Sequence, residues 1–218
     1  MTVDFQALRV KMVDGQIRTT DVTDPAILAA MLEVPREAFV PAGFRPLAYM
    51  DEDIALGGDR FLMRPSPFAR LVQLCGVKAG DLVLDVGCGL GYSSAILARI
   101  AGFVVALESD AALAAGAASA LAAAGCDNVS VVEGPLPSGY AAQAPYDAIV
   151  VEGAIDQVSP ALLDQIKEGG RLVSVVGEGL SGRATIWGRE GGIVSSRTEF
   201  NAAVPAFAAF RREPSFVF

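Results

Sequence analysis

The chain has 218 residues, enough for one α/β domain with extensions and a substantial buried core. Its net charge is −8 and lysine and arginine form no cluster, which argues against nucleic-acid substrates, since phosphates call for a basic face. It contains no histidine, so the commonest general base and the commonest metal ligand are both missing.

Cys75, Cys88 and Cys126 are too widely spaced for a disulfide framework or a metal pattern, and they fit a reducing, cytoplasmic setting. No charged-then-apolar leader opens the chain and no apolar run reaches transmembrane length, so a soluble protein away from membranes is expected.

Residues 4–13 read as a short amphipathic helix. Asp24 as N-cap and Pro25 at the first helical position open a second helix, which Val34-Pro35 ends. The stretch from Arg36 to Met63, with Pro41, Gly43, Pro46, Gly57 and Gly58, reads as irregular. Ser66-Pro67 starts another helix, closed by Gly76.

From residue 82, strands at 82–86, 103–108, 129–133, 147–152 and 171–177 alternate with helices near 92–100, 111–124 and 160–167. Ser159-Pro160 opens the last helix and Gly169-Gly170 closes it. Such alternation predicts βαβ crossovers and a parallel sheet covered on both faces. Segments 183–189 and 193–200 flank Glu190-Gly191-Gly192 as a β-hairpin, giving a parallel sheet with an antiparallel end.

The most informative segment is Asp85-Val86-Gly87-Cys88-Gly89-Leu90-Gly91-Tyr92, set between an apolar strand and a helix. Its glycines let the backbone turn tightly and approach a ligand with no Cβ in the way. The spacing is GxGxG, whereas a dinucleotide fingerprint is GxGxxG, so it points to the S-adenosylmethionine (AdoMet) loop of class I methyltransferases. Phe103–Leu107 is a second apolar run that ends at Glu108, where a nucleotide-binding domain puts the carboxylate for ribose hydroxyls. The Asn/Asp-Pro-Pro-Tyr signature of base-amino methyltransferases is missing.

A second set of motifs is more specific. Val34-Pro35-Arg36-Glu37-Ala38-Phe39-Val40-Pro41, then Ala48-Tyr49-Met50-Asp51, resembles the "VPRE-FVP…AY-D" stretch of protein-L-isoaspartate O-methyltransferases. Tyr146–Val151 and Pro160–Val173 look like the family's fourth strand and the helix and strand after it, so the similarity covers nearly the whole chain.

The resemblance implies a Rossmann-like α/β fold of the class I methyltransferase type, a mostly parallel seven-stranded sheet with helices on both faces. It implies a helical, substrate-facing extension at 1–76 packed on an AdoMet-binding unit at 77–218. It also implies methyl transfer from AdoMet to the α-carboxylate of L-isoaspartyl residues in damaged proteins, a repair reaction that leaves S-adenosyl-L-homocysteine. A carboxylate is already ionised near neutral pH, so the lack of histidine suits this acceptor better than an amine or alcohol.

Carried over residue by residue, Asp85, Gly87, Cys88 and Gly89 would line the methionine and ribose end, with Gly91 letting the helix approach. Glu108 would hold the ribose hydroxyls, Ser109 would lie under the adenine, and Gly134 falls where the family's Gly-Asp-Gly turn passes it. That turn is Gly134-Pro135-Leu136 here, which removes an acceptor for the adenine amino group, worth on the order of 1 kcal/mol.

The family's Thr-Ile-Ser-Gln-Pro-like segment is replaced by Phe61-Leu62-Met63-Arg64-Pro65, which puts Met63 where the Ser that touches substrate and cofactor should be. Methionine donates no hydrogen bond to a carboxylate. Candidate substitutes are Arg64, as an anion clamp or else a solvated surface arginine, and Ser66 after an alignment slip, although Ser66 also reads as a helix cap. Glu152, at the end of the fourth strand, belongs with the cofactor-facing set. It would repel an anion, attract a cation or simply face solvent. These departures leave two other readings: an AdoMet enzyme with a different acceptor, or a non-catalytic relative.

Overall fold

The computed structural model describes residues 3–212. Its N-terminal part is built from capped helices. Helix α1 (Phe5–Met12) starts where Asp4 accepts the Ala7 N–H at 2.9 Å. Helix α2 (Pro25–Glu33) starts where Asp24 accepts the Ala26 N–H at 2.8 Å, with Pro25 at the first helical position.

The stretch expected to be irregular contains a small antiparallel hairpin, β1 (Ile54–Gly57) and β2 (Arg60–Leu62), turning at Gly57 and Gly58, both with positive φ. Helix α3 (Pro65–Cys75) begins one residue before Ser66, so Ser66 is not its cap. A remote carboxylate serves instead: Asp51 accepts the Ser66 N–H at 3.0 Å and its hydroxyl at 3.1 Å. Gly76, at φ 66°, ends α3 in the left-handed region, as expected.

The sheet follows with β3 (Leu82–Val86), helix α4 (Tyr92–Ala98), β4 (Phe103–Glu108), helix α5 (Ala111–Ala123), β5 (Val129–Glu133) and β6 (Tyr146–Ile155). Helix α6 (Pro160–Asp164), β7 (Ile166–Val176), β8 (Arg183–Glu190) and β9 (Ile193–Asn201) complete it. The strand order is β5-β4-β3-β6-β7-β8-β9, parallel up to β7 and antiparallel for β8 and β9. This is the expected architecture.

Alternate residues of the buried strands feed two clusters. Val83, Val104, Val150 and Val173 pack with α2, α3, α4 and α5 on one face. Leu84, Val105, Ile149 and Leu172 pack on the other with Leu162 of α6, Leu136, Phe207 and Phe210. This second face is therefore covered largely by short turns.

The helix predicted over 160–167 stops at Asp164 because the chain enters β7 early. Tyr146 N–H donates to the Gln165 carbonyl at 2.8 Å, opening the β6–β7 ladder. Gly169 and Gly170 lie inside β7 and do not close a helix. A Cβ on Gly170 would sit 2.8 Å from the Tyr146 carbonyl, so this bend requires glycine.

The "VPRE-FVP…AY-D" stretch is a structural frame. Arg36, fully buried, donates from Nε to the Ala48 carbonyl at 2.7 Å and from Nη2 to the Met63 carbonyl at 2.8 Å. Its guanidinium lies 4.7 Å from the centroid of the Tyr92 ring, the residue that opens α4. Arg9 of α1 reaches the Tyr49 hydroxyl and Glu37, and Tyr49 in turn donates to Glu37. Arg36→Met should remove two charge-assisted hydrogen bonds and orphan two buried carbonyls. It is expected to lower stability by on the order of 3 kcal/mol, read as an earlier urea midpoint at unchanged slope.

Candidate cofactor and substrate site

The loop after β3 is made by left-handed backbone. Gly87, Gly89 and Gly91 have φ of 83°, 56° and 91°. The N–H groups of Gly87 and Cys88 both donate to the Leu107 carbonyl of β4, at 2.8 and 3.2 Å, fixing the loop across the strand ends. Gly91 does let a helix approach: a Cβ there would lie 3.0 Å from Leu121 of α5. Asp85 is fully buried, and its Oδ2 accepts the Ser93 and Ser94 hydroxyls at 2.6 and 2.5 Å. Its Oδ1 has no partner among the described residues, and burial pushes its pKa up to about 6.

Glu108, also fully buried, accepts the Gly89 N–H on Oε2 at 3.0 Å. Its Oε1 accepts the Ser109 and Asp110 N–H groups at 2.7 and 3.0 Å and Nε of Arg60 at 2.9 Å. Arg60 is buried too, and its Nη2 donates to the Ser109 hydroxyl at 2.6 Å. Ser109 is thus held by an arginine of the hairpin.

The space in front of the glycines is filled by the chain itself. A Cβ on Gly87 would stand 2.5 Å from the Phe207 ring, and one on Gly89 2.6 Å from Leu56 of β1. The Phe207 ring also faces Gly153, and the Arg60 guanidinium lies 5.0 Å from its centroid. Beyond them an open cavity of about 510 Å³ is lined by Ser109, Glu133, Gly134, Pro135, Leu136 and Ala209. One end of the cleft is therefore open and the other plugged. Sequence reasoning missed Leu56, Arg60 and Phe207. An arginine two residues after a Gly-Gly turn was the available signal for Arg60, and nothing local marked Phe207.

Met63 is buried, and its carbonyl is taken by Arg36. Arg64 is partly committed and its side chain is 31% exposed. Its Nη2 donates to Asp53 at 3.0 Å and to the Ala203 carbonyl at 2.9 Å. Ser66 is committed to Asp51. The three substrate-segment candidates lie close together in sequence, and the Arg64 guanidinium keeps a donor, Nε, with no partner among the described residues.

Glu152 does not face solvent. It is buried where β6 bulges between Val150 and Ala154, and its Oε1 has no partner among the described residues. Burial, reinforced by the nearby Asp85 charge, holds its pKa well above the carboxylate range, although Arg36 pulls the other way. Cys88 sits beside Asp85, Glu108 and Glu152, and its thiol is likewise pushed far up, burial being the main cause. The charge pattern of this pocket is three buried carboxyls, two of them carrying an orphaned oxygen. It suits a cationic guest and gives an observation on which AdoMet, with its sulfonium and ammonium, can be tested. The donor set and loop fit AdoMet, provided Phe207, Leu56 and Arg60 move out of the way.

The protein-L-isoaspartate(D-aspartate) O-methyltransferase family model matches residues 8–204. A protein-L-isoaspartate O-methyltransferase 1 from Rhodopseudomonas palustris is 44% identical over 173 residues, 79% of this chain and 71% of that protein. One from Methanoregula boonei is 43% identical over 169 residues, 78% of each chain. A solved protein-L-isoaspartate O-methyltransferase superposes with a TM-score of 0.78 at 26% identity, over 92% of this chain and 66% of its own. The Plasmodium falciparum protein crystallised with S-adenosyl-L-homocysteine superposes at 0.77 and 18% identity, over 94% and 98%, which bears on the fold alone. The chain belongs to the protein-L-isoaspartate(D-aspartate) O-methyltransferase family.

Proposed function

We propose that this protein is an AdoMet-dependent O-methyltransferase of L-isoaspartyl carboxylates in damaged proteins, working in the cytoplasm with no nucleic-acid partner. The observation that carries the reading is the family match over 8–204, coinciding with a loop and carboxylate pair built for such a cofactor. Three buried, unbridged cysteines and the net charge of −8 support the location and the partner class. No helix among the described residues is long and apolar enough to cross a membrane.

AdoMet supplies an electrophilic methyl group, which an ionised carboxylate accepts with no base. The protein's part is to bind, align and exclude water. Glu108 would hold the ribose hydroxyls, and Gly87, Cys88 and Gly89 would give the backbone its close approach. Asp85 and Glu152 would meet positive charge with their unpartnered oxygens, while Ser109, Gly134 and Pro135 would border the adenine end. Residues 1–76 would form the substrate-facing extension, with Arg36 and Asp51 fixing the segment around Met63 and Arg64.

Met63 favours a second reading, an AdoMet enzyme with another acceptor, because no hydroxyl stands at this position and one end of the Arg64 guanidinium is held by Asp53 and Ala203. A methyl-transfer assay should show turnover of an isoaspartyl peptide and none of its aspartyl twin. Equal or absent transfer to both would refute isoaspartyl specificity. Met63→Ser should raise isoaspartyl turnover severalfold, and no change would show that the missing hydroxyl is not limiting.

The buried carboxyls have a consequence for stability. Asp85 binds its proton more tightly folded than unfolded, so its contribution is full below about pH 4 and is lost as pH rises through about 6. The loss is on the order of 3 kcal/mol. The stability difference between wild type and Asp85→Asn should therefore shrink or reverse in the mutant's favour across that window, measured by urea unfolding at several pH values. Parallel pH curves would refute the buried-acid assignment.

A further inference from the structure

We infer that the cofactor cradle is closed by an internal plug, so that AdoMet must compete with the chain's own Arg60 and Phe207. The inference rests on the cofactor reading above and adds a conformational step to it. Two elements far apart in sequence meet in the cradle, and each is anchored by specific bonds.

From one side comes the hairpin β1–β2. Arg60 gives Nε to Glu108 at 2.9 Å, Nη2 to the Ser109 hydroxyl at 2.6 Å and Nη1 to its neighbour Asp59 at 2.6 Å. Glu108 is the carboxylate that the ribose hydroxyls require, so the arginine and the sugar contend for one acceptor. From the other side comes the segment after β9. It joins the end of β6 as a short parallel bridge: Ala154 N–H donates to Pro205, and Phe207 N–H to Ala154, both at 2.8 Å.

That bridge delivers the Phe207 ring into a socket left by two absent side chains, Gly87 and Gly153, whose hypothetical Cβ atoms would lie 2.5 and 3.1 Å from it. The ring is 3% exposed. Arg60 lies 5.0 Å from the ring centroid, so the two halves of the plug lock one another. The plug is also matched in charge. A guanidinium supplies the positive charge that an acidic cradle lacks until a sulfonium arrives.

Such closure lowers the apparent affinity by the fraction of molecules that are open. Calorimetry with S-adenosyl-L-homocysteine should show Arg60→Ala and Phe207→Ala binding at least tenfold tighter than wild type, with thermal melts confirming that each folds. A second measurement needs no variant: hydrogen exchange on the wild-type protein. Saturating S-adenosyl-L-homocysteine should accelerate exchange at the Phe207 and Ala154 amides, the two donors of the bridge, as their bonds are released. Equal affinities in all three proteins with unchanged exchange would overturn the plug and leave the methyltransferase reading standing. No binding by any of them would overturn both.

Discussion

A buried carboxylate must be surrounded by donors or it destabilises the fold, and Glu108 meets that demand with three amides and a guanidinium. Its partners are the Gly89 amide, the Ser109 and Asp110 amides and the Arg60 guanidinium. One side chain thereby ties together the glycine loop, the end of β4, the approach to α5 and the β1–β2 hairpin. The parallel register sets the rest: Asp85 pairs with Ala106 and Val86 with Leu107, so both acidic residues emerge at the carboxyl ends of adjacent strands. Ligands of open α/β sheets bind there.

A second polar frame supports the first from the N-terminal side. Arg36, Glu37, Tyr49 and Asp51 give the family stretch its recognisable look, yet none of them is a free ligand. Arg36 holds two carbonyls, Glu37 and Tyr49 receive α1 through Arg9, and Asp51 caps α3 from a distance. Their effect on the site is to fix the backbone of Met63 and the start of α3. A motif can thus identify a family while its residues build the scaffold and leave the chemistry to others.

The sheet was legible because its signals are local: apolar runs, glycine turns and proline helix starts each act within a few residues. The GxGxG loop and Glu108 were legible for the same reason. The hairpin at 54–62 was not, since its strands are short and its turn looks like any glycine-rich loop. Helix α3 shows the limit from another side. Its cap comes from Asp51, fifteen residues upstream of Ser66, beyond the reach of any signal adjacent to the helix start. Phe207 carried no local signal, and Arg60 only its place after the Gly-Gly turn. Their role depends on a contact between segments separated by most of the chain.

The remaining puzzle is how a pocket with three carboxyls receives an anionic acceptor. Read as charges, Asp85, Glu108 and Glu152 would repel it. Burial changes the sum. Burial shifts both Asp85 and Glu152 toward their neutral forms, and each keeps an oxygen with no donor among the described residues. Glu108 is met by amides and by Arg60. The Arg60 guanidinium offsets acidic charge in the cradle, and a sulfonium in its place would do the same. Either cation would weaken the repulsion that the acidic wall exerts on a carboxylate. What the exchange changes is shape: the cation that leaves is tethered to a hairpin lying directly before Met63 and Arg64. A hairpin displaced by the cofactor would therefore carry the start of the substrate segment with it, because β2 runs straight into Met63 and Arg64.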